Sequence, residues 1–533
     1  MLAKIERSLV AGLVACLSTL PAAAQDVADP DTWLRHLTQD LLPFWSAAEG
    51  DPAGNFPGRL CNDGSLPTPG VACGGVSAWQ ASNPRRTLVA QSRQVFSYAV
   101  AFHMTGDTAW LDLARAGAHD QFDTFLNTDT GIFNEVYDVN TGDSWTGSGG
   151  ANSQKQAYGL LGPTFLHYLT GDAELGQQID AVSQELTATF RDPATGGWRA
   201  VPGAAGPGNR IVSHLDQLNA WQTLLAANAP LADREAIVTD ALETARYLRE
   251  AFYDPTTGLF RRTRDTPAGT LANADLGHSI KAAWFIDQSA KLAGDTELER
   301  FALQTAAGVL DLAWRTDGAW TTGYDAEGNP DDAAVWWSWA ELDQYAASLA
   351  IERPQMRDRL METQAYWLEH FVDDADGGIW GIVDLASNTP DTGYSKHWEW
   401  KAGFHSFEHA LISYLSSSAR QDGTAELFFA RPGGVLPETL AYGFTADPFT
   451  VPPVSLFAAA ESPVQRVELT GLTYGTAALS AVPVPAGAVL LLSALALLRL
   501  GGRRRPARQG RRTNEKGRPE APCSKVGPIV QAS

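Results

Sequence analysis

Histidine, arginine, tryptophan and carboxylates recur together in a few short segments. Gln91-Ser92-Arg93-Gln94-Val95-Phe96-Ser97-Tyr98 carries a cation, and Gly277-His278-Ser279-Ile280-Lys281-Ala282-Ala283-Trp284 an imidazole. Trp336-Trp337-Ser338-Trp339-Ala340-Glu341 joins indoles to an acid, and Trp400-Lys401-Ala402-Gly403-Phe404-His405 ends on a second imidazole. Ser213-His214-Leu215-Asp216-Gln217-Leu218-Asn219-Ala220 adds a further histidine and acid. Imidazole exchanges protons near neutral pH. A fixed guanidinium stabilises an oxyanion, and indole rings, of which the chain has 17, stack on sugar faces. These types together suit proton transfer with stabilisation of an anion. A P-loop, a paired CxxC, HExxH, GxSxG and a dinucleotide fingerprint are all missing where they could work, so no cofactor or metal is expected. Asp373-Asp374-Ala375-Asp376-Gly377 has some look of a calcium loop, yet it fits a repeated turn better.

Helices must position these groups. Apolar residues at i, i+3 and i+4 mark twelve segments, near 31–48, 87–105, 108–127, 153–170, 173–190, 212–229, 232–253, 276–293, 295–315, 333–350, 355–372 and 403–417. After alternate helices an acidic turn of the form Gly-x-aromatic returns, ending at Phe133, Trp198, Phe260, Trp320 and Trp380, with spacings of 65, 62, 60 and 60 residues. A fixed period of this size is one supersecondary unit repeated. Six helical pairs predict an all-α fold, a closed (α/α)6 barrel over 26–420 with short β-hairpins at one rim. An open solenoid is the alternative. Short strands among Pro and Gly predict a small β appendage or spacer over 421–480.

The ends speak of compartment. Residues 1–24 have a charged start, an apolar stretch from Leu9 to Leu20 and Ala22-Ala23-Ala24, the pattern of a secretory signal; Leu13-Val14-Ala15-Cys16 also matches a lipoprotein box. Cys61 and Cys73 are the only cysteines between the two ends and are expected to form a disulfide. Val482-Pro483-Val484-Pro485-Ala486, an apolar run to Leu498 and Arg503-Arg504-Arg505 resemble a PEP-CTERM tail of the VPxPA type. That resemblance implies a sorting or transmembrane tail over 481–505, an exosortase-type partner, and export to the periplasm, the outer surface or a membrane anchor in a Gram-negative bacterium. Residues 506–533 are basic, polar and expected to be disordered. The net charge is −21; with both basic ends set aside, the body holds −30, which disfavours a nucleic-acid partner.

Over about 31–418 the four leading motifs, in their order, resemble the N-acylglucosamine 2-epimerase family, which includes cellobiose 2-epimerases and aldose–ketose isomerases. The resemblance implies an (α/α)6 barrel acting on a reducing saccharide. His278 and His405 would be the acid/base pair, Arg93 the enediolate stabiliser, and Trp337, Trp400 and Glu341 the walls of a sugar cleft. Two positions depart from the family. Lys281 stands where a Glu commonly orients the site, and a family segment HxHxxEA reads His214, Asp216 and Asn219 here, so that Asp216 replaces a site histidine. Asp216 is expected to pair with Lys281, and His214, Asp216 and Lys281 to line the sugar site. Two other readings stay open: a glycan hydrolase or lyase using Asp216 and Glu341, and a surface glycan-binding protein without catalysis. His36, His103, His119, His167 and His370 are read as structural, and His397 and His409 are assigned no role.

Overall fold

Short polar side chains start most of the helices. Thr87, Asn152 and Asp275 each accept a bond from a backbone N–H in the following turn, as do Asp107, Asp172 and Asp295. In the computed structural model, which describes residues 26–46, 53–147, 149–229, 231–437, 439–450 and 464–475, twelve barrel helices follow, besides a short helix at Ala78–Ser82. They are α1 (30–46), α2 (Leu88–Thr105), α3 (Thr108–Phe125), α4 (Ser153–Thr170), α5 (Ala173–Phe190) and α6 (212–228). Then come α7 (Leu231–Phe252), α8 (Leu276–Ala293), α9 (Thr296–Ala313), α10 (Trp336–Ala350), α11 (357–371) and α12 (Phe404–Gln421). Each of α1, α6 and α11 contains one π-helical stretch, at His36–Leu41, Leu218–Gln222 and Trp367–Phe371.

Even-numbered helices are buried almost all round, whereas α3, α5 and α9 bury one stripe. A helix buried on every side belongs inside a second layer. Each inner helix packs on the next, and α12 returns to α2, so the inner ring closes as an (α/α)6 barrel.

Antiparallel bridges Leu126–Phe133, Arg191–Trp198, Trp314–Trp320 and Val372–Ile379, and the pair Tyr253–Phe260, close the repeated turns after α3, α5, α9, α11 and α7. Two of these turns grow into three-stranded sheets. Val136–Asp138 pairs with Arg85–Thr87 and Ser144–Trp145, and Ile382–Asp384 with Ala333–Val335 and Thr389–Pro390. Because Arg85–Thr87 and Ala333–Val335 lead straight into α2 and α10, the rim sheets set where those helices begin. In the turn after α11, Lys396 donates to Asp373 at 2.6 Å and to the Gly377 carbonyl at 2.7 Å, so an ammonium occupies the loop with the calcium-like sequence. Cys61 and Cys73 are bonded, and their loop is tied to the segment after the strand Thr389–Pro390 through Asn62, which donates to the carbonyls of Thr392 and Tyr394.

The strands expected beyond residue 420 exist, as Ala425–Phe429, Phe444–Thr450 and Gln465–Tyr474, with the last in the middle of an antiparallel sheet. They are not a free appendage. Ala430 N donates to Leu169 O at 3.0 Å, Arg431 to Tyr168 O at 2.7 Å and Thr439 to Ala227 O at 2.9 Å. These acceptors are carbonyls left open at the C-terminal ends of α4 and α6, so the segment closes the far end of the inner ring. The chain divides into 1–476 and 477–533. The expected signal (1–24), sorting tail (481–505) and basic tail (506–533) lie outside the described residues. Among the described residues no helix is long and apolar enough to cross a membrane.

Candidate active site

His278, Trp337 and His405 stand at the first turns of α8, α10 and α12, all at the rim end of the inner ring. The Trp337 ring centroid is 4.6 Å from that of His278 and 6.0 Å from that of His405, so one indole touches both imidazoles.

Asp275 does two things at once. As the cap of α8 it accepts from His278 N at 3.0 Å, and its other oxygen accepts from His278 Nδ1 at 2.5 Å. Nδ1 therefore carries a hydrogen, and Nε2, buried and without a protein partner, is the ring nitrogen left for a ligand. Burial pushes the Asp275 carboxyl up, but attraction to His278, their hydrogen bond and Arg262 win and hold it at about 2.

His405 is placed differently. Its Nδ1 lies 3.2 Å from Glu341 Oε1, and neither ring nitrogen has an aligned hydrogen bond. Burial, reinforced by Arg93 and Lys281, holds this imidazole well below its ordinary range, hence neutral. Arg93, fully buried on α2, donates to the carbonyl of Trp400. Its guanidinium lies 4.1 Å from the Tyr158 ring centroid and 5.4 Å from that of Phe404, while Nε and Nη2 have no protein partner. Trp400 is half-buried at the rim.

Lys281 turns inward. It donates to Tyr158 Oη at 3.1 Å and Asp216 Oδ1 at 3.2 Å, and lies 3.7 Å from Glu341 Oε1. Burial alone would lower its pKa; the fields of Tyr158, Asp216 and Glu341 outweigh that and keep it charged. The expected pairing of Asp216 with Lys281 is thus present, and Asp216 Oδ2 also accepts from Gln154 at 2.9 Å. Burial raises the Glu341 carboxyl to about 7 against the pull of Lys281.

Three assignments change. His214 does not line the site: Nδ1 accepts from Trp198 N and Nε2 donates to Gly208 O, both at 3.0 Å, and the ring packs on Tyr247 and Phe252 of the outer layer. Asp216 and Lys281 neutralise each other beneath the histidines rather than presenting themselves to a ligand. Glu341, fully buried, sits behind His405 instead of on a cleft wall. His36, His103 and His397 have partners within the core, consistent with structural roles.

Sequence reading missed Asp275, Tyr158 and Glu408. A helix cap three residues before a histidine was a readable signal for the first, and the i+3 position after His405 one for the third; Tyr158 carried none. Glu341, His405 and Glu408, all buried, are the one group among the described residues whose donor atoms, within 4.8 Å of one another, could hold a metal ion.

No family model matches the chain. It is 22% identical over 389 residues to a cellobiose 2-epimerase of Ruminococcus albus, covering 70% of this chain and 94% of that protein. A cellobiose 2-epimerase of Eubacterium cellulosolvens is 21% identical over 403 residues, with the same coverage. The solved cellobiose 2-epimerase of Spirochaeta thermophila superposes with a TM-score of 0.60 at 20% identity, over 75% of this chain and 99% of that one. A D-mannose isomerase gives 0.61 at 16%, over 74% and 99%. The chain is therefore similar in sequence to cellobiose 2-epimerases, and its (α/α)6 barrel is the fold of a cellobiose 2-epimerase and a D-mannose isomerase.

Proposed function

We propose that this protein is a sugar epimerase or isomerase that moves the C2 proton of a reducing saccharide through a cis-enediolate. The observation that carries the reading is the pair His278 and His405. They sit on inner helices either side of α10, both touch Trp337, and both present ring nitrogens without protein partners. An opened reducing sugar has a C2 proton made acidic by its aldehyde, and a neutral imidazole can remove it. Asp275 prepares His278 for this by fixing its tautomer. A proton delivered to the opposite face of C2 through the other ring, drawn from the adjacent Glu341 carboxyl that burial raises to about 7, inverts C2 while the first ring releases its proton to solvent; protonation at C1 instead gives the ketose. Arg93, with Nε and Nη2 unused by the protein, is suited to the enediolate oxygens. The partial positive charge at the N-termini of α8, α10 and α12 acts in the same direction.

The hydrolase or lyase reading needs carboxylates working across a cleft. Asp216 and Glu341 instead both face the same buried Lys281, which leaves neither poised for that task. The names of the relatives, the fold and the free ring nitrogens support the epimerase or isomerase. We also propose export: the Cys61–Cys73 bond suits an oxidising compartment, and the signal, the sorting tail and its exosortase-type partner remain part of that proposal. The test is product analysis. Purified protein is incubated with cellobiose, mannose, a panel of other reducing saccharides and glycan polymers, and new sugars are separated and identified. A C2 epimer or the matching ketose is expected; release of shorter saccharides from polymers, with no epimer or ketose, would overturn the reading.

A further inference from the structure

Tyr442 has a backbone that a bulky residue rarely adopts, with φ +63° in the turn Ala441–Gly443. Left-handed conformations persist at such residues only where their surroundings over-determine them, and they concentrate at functional positions. Here the surroundings are the barrel interior. Tyr442 is 3% exposed, and its ring stacks on Trp284 of α8 at 5.8 Å and lies 6.4 Å from Phe165 of α4. The hydroxyl and Glu408 Oε1 are both buried without an aligned hydrogen bond, and the hydroxyl lies within interaction range of that carboxyl.

Glu408 follows His405 by three residues, on the same face of α12. Its carboxyl oxygen, an oxygen of Glu341 and a nitrogen of His405 all lie within 4.8 Å of one another. The Gln344 amide, turned so that its nitrogen donates, meets Glu408 Oε2 at 3.0 Å. We propose that Tyr442 is a positioning residue for the His405 half of the site, so that the barrel and the turn Ala441–Gly443 that carries it form one catalytic unit. This rests on the epimerase or isomerase reading.

The physical logic is a chain of held groups. Burial and the adjacent Glu341 keep the Glu408 carboxyl well above its ordinary range, so it is carried uncharged with a proton to donate. Tyr442 and Gln344 fix its orientation. A fixed neutral Glu408 steadies Glu341, which lies between Lys281 and His405 Nδ1. The charged and titratable groups around Glu408 are Arg93 from α2, Lys281 from α8, Glu341 from α10, His405 on its own helix and Tyr442. Without the tyrosine hydroxyl the carboxyl turns, and the alignment of Glu341 against His405 is lost.

The test compares the full chain with Tyr442→Phe and Tyr474→Phe, measuring kcat, KM, the pH profile of C2 proton exchange and the melting temperature. Tyr474 belongs to the same segment, but its hydroxyl donates to Asp287 at 2.7 Å, away from Glu408. Tyr442→Phe is expected to lower kcat about tenfold, with KM within about twofold, and to shift the pH profile by about one unit. Tyr474→Phe is expected to move only the melting temperature. If Tyr442→Phe fails to fold, Glu408→Gln takes its place: it keeps size and neutrality but loses the acidic proton, and the same kcat loss and profile shift are expected. An unchanged profile in the active, folded variant, or equal effects of the two tyrosine changes, would overturn the inference alone. A wild-type chain silent on every sugar would overturn the functional reading and this inference with it.

Discussion

Asp275 decides which nitrogen of His278 is left without a protein partner. Asn in its place can donate to Nδ1, which reverses the tautomer and turns Nε2 into a donor. Asp275→Asn is therefore expected to lower kcat by about a hundredfold or more with little change in KM; steady-state kinetics on the saccharide that turns over checks this, and wild-type kcat would count against it. His214 makes the contrast, because an imidazole that looked functional serves the core. Burial holds its pKa at about 3, against about 6.5 in the unfolded chain. Its contribution is full above pH 6.5 and is lost as pH falls toward 3, since the unfolded state takes the proton first. The stability difference between wild type and His214→Gln should shrink by about 1.4 kcal/mol per pH unit in that window, read by denaturant titration at several pH values. At this scale the gathering of His278, His405 and Arg93 was legible because their neighbours carry a pattern. The true place of His214 was not, because its partners Trp198 N and Gly208 O are backbone groups brought up by the fold.

The period of about sixty residues exposed the helical pairs and their rim turns, since every repeat buries the same faces. What the pattern hides is how closely two inner helices approach. On α4, a Cβ at Gly162 would stand 2.2 Å from the Ser92 carbonyl and 2.7 Å from Val95 Cβ on α2. Backbone and a β-branched side chain cannot yield as a flexible tip would. Gly162→Ala is expected to destabilise the protein by about 1–3 kcal/mol through this overpacking, measured by chemical denaturation. A neutral change would mean that α2 and α4 separate easily. The π stretches at His36–Leu41, Leu218–Gln222 and Trp367–Phe371 were equally hidden, because one extra residue per turn is decided by packing against neighbours and leaves no periodic signal.

For the whole molecule, the largest difference between reading and structure is the segment after α12. Its short strands were visible as alternating apolar residues among Pro and Gly. Its attachment was not, because donors such as Arg431 and Thr439 meet open helix carbonyls far away in sequence. A chain cut after residue 421 would expose Trp284, Phe165 and Tyr168, all buried at present, and is expected to be insoluble or molten. A chain cut after residue 476 is expected to melt with the full-length protein, and scanning calorimetry of both separates a structural lid from a spacer. The central claim is proton transfer at C2 by two imidazoles. Its most direct test is incubation in D2O with the reactive saccharide, following the C2 proton by NMR. Exchange in the wild type, abolished in both His278→Ala and His405→Ala, is the predicted result; exchange surviving in both variants, or no exchange while product accumulates, would contradict the account.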